Sequence, residues 1–239
     1  MSSPPLFGRT AVVTGASRGI GLAVAEELQA AGAHVVRLAR SLADAEGERR
    51  TDLTCDVTDA AAVERAAGRV LAARGAPDIL VNAAGVFLVN ALAETTPEAF
   101  AAQLAGNLVA PFLVLRAFLP AMTARGRGLV VTIGSVADHQ AFVGNAAYGA
   151  AKSGLRGLHE VLLRELRGGG VRATLISPGP VDTAIWDVVD PDSKPGFTKR
   201  ARMLRPEDVA EAVLFVATRR DAVAIPELRI VPGTYEPRH

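Results

Sequence analysis

The stretch Tyr148-Gly149-Ala150-Ala151-Lys152 pairs a phenol with an ammonium, and Ser135 lies upstream at the end of the apolar run Leu129-Val130-Val131-Thr132-Ile133. In a helix from about Ala146 onward, Tyr148 and Lys152 sit one turn apart on one face and can serve a single site. A free tyrosine has a pKa of ~10, so acid/base work near neutral pH calls for a shift of ~3 units, or ~4 kcal/mol. A lysine charge ~4 Å away at an effective dielectric of ~20 supplies an interaction of that size. The same spacing also fits a solvated helix face, so the surrounding elements have to decide.

Upstream, Thr10-Ala-Val-Val-Thr14 reads as a buried strand running into Gly15-Ala-Ser17-Arg18-Gly19-Ile20-Gly21, after which Ile20, Val24, Leu28 and Ala31 recur at helical spacing. Strand, glycine turn and helix form a phosphate site, because glycines let the chain turn sharply and bring an anion to the amides at the positive helix N-terminus. The spacing is G-x-x-x-G-x-G rather than the dinucleotide fingerprint G-x-G-x-x-G. A second strand, His34 to Ala39, ends at Arg40-Ser41. An acidic residue there would bind a ribose 2′-hydroxyl, whereas an arginine accommodates a 2′-phosphate. Arg40, with Arg18 in the turn as a second cation, predicts NADP(H), with NAD(H) as the alternative.

The pattern continues with a charged segment, Ser41 to Thr51, read as a loop or weak helix, then strands at Leu53–Val57, Asp78–Val81, Leu129–Ile133, Val171–Ile176 and Leu228–Val231. Asp59 caps a helix between them, and Thr96-Pro97-Glu98 opens a long one whose apolar face runs from Phe100 to Leu119. Pro111 is expected to interrupt that helix close to Asn107. Alternating strands and helices predict a single α/β domain over residues 1–239, a doubly wound, Rossmann-like, seven-stranded parallel sheet with helices on both faces and a ligand at the carboxyl ends of the strands. Residues 182–203 are poorly patterned, as expected of a substrate lid.

Composition narrows the class. With 26 basic and 25 acidic residues the net charge is +1, so no bulk attraction to nucleic acid or an anionic membrane is expected, and a small solute is the expected partner. Asn82, Gly85 and Asn90 interrupt the most apolar stretch, and no basic segment with a long apolar core opens the chain, which gives the expectation of a soluble, cytoplasmic protein. Cys55 is the one cysteine and lacks companions at metal-ligand spacing, so neither a disulfide nor a metal is expected.

These pieces, in this order, resemble the short-chain dehydrogenase/reductase family. The resemblance rests on Thr14-Gly15-Ala-Ser-Arg-Gly19-Ile-Gly21, Asp56-Val57, Asn82-Ala-Ala-Gly85, Asn107, Ser135, Tyr148-x-x-x-Lys152 and Pro178-Gly179 followed by Thr183, and it covers nearly the whole chain. It implies hydride transfer between a nicotinamide and a carbonyl or secondary alcohol. Tyr148 would be the general acid or base, Lys152 would lower its pKa and hold the nicotinamide ribose, Ser135 would bind the substrate oxygen, and Asn107 would hold a water leading to Lys152. Asp56 and Val57 would hold the adenine; Asn82, Ala83 and Gly85 would line the adenosine side; Pro178, Gly179, Val181 and Thr183 would frame the nicotinamide amide. The expected pocket walls are Val86, Phe87, Val136, His139, Phe142, Asn145 and Trp186, with His139 shaping the site rather than catalysing.

Two alternatives stand beside that reading. One is a 3-oxoacyl-[acyl-carrier-protein] reductase activity, with Arg125, Arg127 and Arg167 docking an acidic carrier, although the ending Ala224 to Pro232 lacks the glycine-rich form of such reductases. The other is a non-catalytic cofactor-binding protein on the same fold. The resemblance also implies a homodimer or homotetramer built on the long helices that start near Pro97 and Ala146. Phe112, Leu115, Phe118, Leu155 and Leu158 serve either that interface or the core.

Overall fold

The computed structural model describes residues 3–235. Its centre is one sheet in the order β3-β4-β2-β1-β5-β6-β7-β8, formed by Thr10–Thr14 (β1), His34–Ala39 (β2), Ala45–Gly47 (β3), Arg50–Thr54 (β4), Ile79–Asn82 (β5), Gly128–Ile133 (β6), Val171–Pro178 (β7) and Glu227–Ile230 (β8). Every neighbouring pair is parallel except β3 with β4. The sheet therefore has eight strands, not the seven expected. The added one lies in the segment read as a loop or weak helix: β3 folds back on β4 through Glu48-Arg49, with Arg49 at φ 51°, and caps the sheet edge. All three of its residues are exposed, so no apolar alternation marks it in the sequence.

Helices Gly19–Ala30 (α1), Ala60–Arg74 (α2), Pro97–Leu104 (α3), Ala110–Arg125 (α4), Ala146–Glu165 (α5) and Pro206–Ala217 (α6) cover both faces. Along β1, Ala11 and Val13 join one apolar layer with Val24 and Leu28 of α1 and Val213 of α6. Val12 faces the other layer, with Phe118 and Met122 of α4 and Leu162 of α5. This alternation makes both faces of a buried parallel sheet apolar. The expected helix caps form: Asp59 accepts from the amide of Ala61 at 2.9 Å, and Thr96 accepts from that of Ala99 at 3.2 Å.

The long helix from Pro97 is interrupted by a π turn at Ala105–Val109, which contains Asn107 and stands directly before the proline of α4. By length and composition the run Pro97–Arg125 could cross a membrane. Here it belongs to the core layer, with Val114, Leu115, Phe118 and Met122 buried. Leu155 is buried as well, whereas Phe112 is 47% exposed, which assigns most of the open apolar positions to the core and leaves Phe112, Val109 and Val161 outside it.

One of the three arginines read as a carrier-docking patch is engaged within the chain. Arg125 donates to the carbonyls of Ala76 (2.6 Å) and Pro77 (2.7 Å) and lies 3.4 Å from Asp78, so its charge closes the end of α4. Arg127 and Arg167 remain exposed.

Candidate active site

The sheet order reverses at β1, between β2 and β5. A cleft of about 1410 Å³ opens there, beyond the carboxyl ends of the strands. Gly15 and Gly19 adopt φ 67° and 55°, conformations that favour glycine. A Cβ on Gly21 would lie 2.4 Å from the carbonyl oxygen of Gly15, and one on Gly15 would lie 2.7 Å from Cα of Ala84, so the turn is drawn tightly against its neighbours. Thr14 Oγ1 accepts from the amides of Ala83 (3.1 Å) and Ala84 (3.2 Å), tying the turn to the loop after β5. No side chain caps the N-terminus of α1 and no acid stands in its first turn, leaving its amides and positive dipole end to face the cleft. These features fit a dinucleotide phosphate group.

Of the positions named from the sequence, Ser17, Arg18, Ile20, Arg40, Ser41, Asp56, Val57, Ala83, Gly85, Pro178, Gly179, Val181 and Thr183 line the cleft with the three turn glycines. Arg40 extends from the end of β2 with its side chain 72% exposed, 3.8 Å from Asp56, and no acid replaces it at Ala39. Hydrogen bonds from the Thr58 hydroxyl and amide, and the nearby Arg40, hold the Asp56 carboxyl below the usual range. Asn82 is the exception: it is buried beneath the wall that Ala83, Ala84 and Gly85 form, because it is the last residue of β5 and its side chain points into the protein.

The four residues read as the chemical group all line the cleft. The Ser135 side chain lies beside the Tyr148 hydroxyl and favours its ionised form. Lys152 is buried, donates to the carbonyl of Ile133 at 2.9 Å, and holds its ammonium 5.7 Å from the centre of the Tyr148 ring. Burial pushes the tyrosine up to about 12, and burial brings the lysine down to about 8. The tyrosine shift is opposite to the one expected. Desolvation of the phenolate outweighs the lowering by Ser135, and the charge of Asp138 adds to the rise.

Asn107 is 1% exposed, and its Nδ2 donates to the carbonyl oxygens of Val86 (2.9 Å) and Gln103 (3.0 Å), while its Oδ1 accepts from the amide of Val86 at 3.3 Å. It joins the π turn to the loop carrying Gly85 to Phe87, and the turn gives it room to do so.

Val86, Phe87, Val136, Phe142, Asn145 and Trp186 line the cleft as well. His139 does not. Its Nε2 lies 2.6 Å from Glu227 Oε1 and 2.6 Å from Arg156, in an ion-paired cluster beside β8. Arg156 and His139 together hold the Glu227 carboxyl at about 2. The imidazole is directed at α5 and β8, and residue spacing does not encode that direction.

Sequence reading missed Asp138. Its buried carboxylate accepts from the Ser177 hydroxyl at 2.6 Å, while Ser135 Oγ accepts from the amide of Ala137 at 3.1 Å. The S-x-x-D pattern of a capping box was the available signal. Phe197 and Tyr235 were missed too. They reach the cleft from distant parts of the chain, Tyr235 through a hydrogen bond to Gln140 at 3.0 Å.

A nucleotide cradle at a switch point, beside a serine just after β6 and a tyrosine and lysine on α5, is the arrangement of a short-chain dehydrogenase. The chain belongs to that family, whose model, short chain dehydrogenase, matches residues 9–194. A 3-oxoacyl-[acyl-carrier-protein] reductase of Escherichia coli is 34% identical over 235 residues, covering 95% of this chain and 96% of the relative. D-threitol dehydrogenase of Mycolicibacterium smegmatis is also 34% identical, over 244 residues, covering 96% and 94%. A metagenomic short-chain oxidoreductase solved in complex with NADP superposes with a TM-score of 0.80 at 36% identity, covering 97% of this chain and all of that one. The chain is thus an oxidoreductase by family, and two relatives at equal distance act on unrelated substrates.

Proposed function

We propose that the protein is an NADP(H)-dependent oxidoreductase that interconverts a small ketone and a secondary alcohol. The observation that carries this reading is the convergence of Ser135, Tyr148 and Lys152 at the inner end of a glycine-walled nucleotide cleft. The nicotinamide supplies the hydride when bound. The protein has to bind and polarise the carbonyl and deliver one proton to its oxygen.

Two hydroxyl donors, on Ser135 and Tyr148, offer hydrogen bonds where negative charge develops on that oxygen. Tyr148, at about 12, keeps its proton at neutral pH and suits the acid role in reduction. Lys152 stands behind it as a cation that favours the phenolate when the proton leaves, and its bond to Ile133 fixes the distance. Arg40 and Arg18 support a 2′-phosphate and thus NADP(H) over NAD(H). Asp56, Val57, Ala83 and Gly85 would hold the adenosine half; Pro178, Gly179, Val181 and Thr183 would hold the nicotinamide half. Residues 182–203 would act as the lid, the long helices starting near Pro97 and Ala146 would meet a second copy in a homodimer or homotetramer, and the protein would work in the cytoplasm.

The test is Tyr148→Phe, assayed by NADPH oxidation across a panel of ketones. The variant is expected to bind NADPH with unchanged affinity and to lose at least ~10²-fold in kcat. Retained turnover would remove Tyr148 from the mechanism.

A further inference from the structure

The charged side chains lining the cleft, among the described residues, are Arg18, Arg40, Asp56 and Lys152. The first three lie at the nucleotide end, and the Lys152 ammonium is directed at the Ile133 carbonyl. Among the cations of residues 182–203, Lys194 and Arg202 are exposed and do not line the cleft, and the other two are engaged elsewhere. Arg200 pairs with Asp182 at 2.7 Å and Asp187 at 2.5 Å, and Lys199 donates to the carbonyl of Asp192 at 2.5 Å.

Beyond Tyr148 the wall is a run of rings. Phe87 meets Tyr148 edge to face, with centroids 4.9 Å apart and planes at 85°, and meets Trp186 at 4.8 Å and 63°. Trp186 in turn meets Phe197 at 6.3 Å and 77°. The indole N–H donates to the Val181 carbonyl at 3.0 Å, so the one donor of Trp186 is occupied and its aromatic surface is what remains for a ligand.

We propose that the site takes a neutral ketone bearing an aromatic ring, with the carbonyl at Ser135 and Tyr148 and the ring packed among Phe87, Trp186 and Phe197. This deepens the reading given under Proposed function and rests on it. A carboxylate or phosphate at this end would be desolvated without a cation to meet it. A flat ring would extend the edge-to-face series, each aromatic pair adding a factor of roughly two to ten in affinity beyond area burial.

The experiment compares kcat/KM with NADPH for acetophenone, 2-butanone, benzoylformate and an oxoacyl thioester of N-acetylcysteamine on the unaltered protein. Acetophenone is expected to exceed 2-butanone by at least about tenfold, the discrimination available to an apolar pocket. Benzoylformate, which adds a carboxylate to the same ring and carbonyl, is expected to fall at least about tenfold below acetophenone. Phe197→Leu should narrow the acetophenone-to-butanone ratio. Trp186 is the single tryptophan, so its fluorescence gives a readout independent of turnover: 1-phenylethanol should perturb it at lower concentration than 2-butanol or mandelate.

Equal efficiency with butanone, or with benzoylformate or the thioester, overturns the aromatic assignment and leaves the proposed ketone reductase standing. NADPH binding without turnover of any of the four carbonyls removes the proposed function and this inference with it.

Discussion

Asp138 Oδ2 sits 3.5 Å from the backbone amide of Ser135, in a side chain buried against Ser177, so a carboxylate stands directly behind the serine beside Tyr148. Its field reaches Tyr148 and Lys152, favouring the protonated form of each. The other titratable or charged groups around it are His139, 3.6 Å from its second oxygen, and Arg156 of α5, which pairs with Glu227 and Glu160.

Removing this charge should move the pH profile. In Asp138→Asn both Tyr148 and Lys152 lose a source of upward shift, so both groups should deprotonate at lower pH. The pH dependence of kcat, measured for ketone reduction and alcohol oxidation, is expected to show both limbs displaced to lower pH. Unmoved limbs accompanied by a uniform loss of rate would make Asp138 a purely structural cap.

Lys152 gives a second pH prediction. With its pKa brought down to about 8 by burial, it is charged below that value and neutral above it. Reductive kcat should therefore be level on the acid side and decline as pH rises through about 8. A steady-state profile that stays level well beyond that range would show that the ammonium charge does not assist Tyr148.

Arg40→Asp tests the nucleotide preference. Replacing the cation at the end of β2 by an acid should weaken NADPH binding by roughly tenfold to a hundredfold, the range for a lost charge-assisted contact, and should spare or improve NADH. Titration calorimetry with both nucleotides reads the ratio directly. Parallel losses for the two would place the 2′-phosphate elsewhere.

Gly21→Ala tests the cradle. The new Cβ would be 2.4 Å from the Gly15 carbonyl oxygen, a backbone atom that cannot yield without opening the turn. A lower Tm and a cofactor Kd raised at least about tenfold are expected together. A Tm loss with normal nucleotide affinity would separate the turn from binding.

Asn107→Ala should cost stability, because it leaves the amide and carbonyl of Val86 without the side chain that now pairs with both. An unpaired group costs about 1–3 kcal/mol when fully buried, and Val86 is half-buried, so the expected loss is at the lower end of that range. Chemical denaturation measures the loss, and a change below ~0.5 kcal/mol would mean that solvent replaces the amide fully.

Much of this protein is written locally. Strand, glycine turn and helix, the caps at Asp59 and Thr96, and the one-turn spacing of Tyr148 and Lys152 each depend on residues a few positions apart, whose periodicity survives in the sequence. The interruption at Asn107 was legible for the same reason, since Pro111 removes a helix donor nearby. What the sequence could not supply was the direction in which side chains face once distant segments meet. His139 turned to Glu227, a residue 88 positions away, and Phe197 and Tyr235 arrived at the cleft from the far end of the chain. Asn82 went under the wall rather than onto it, and β3 found its partner without any apolar pattern to announce it. The tyrosine shift shows the physical reason most clearly. Spacing places a cation near the phenol, but the sign of the result depends on how much water the folded chain removes from both.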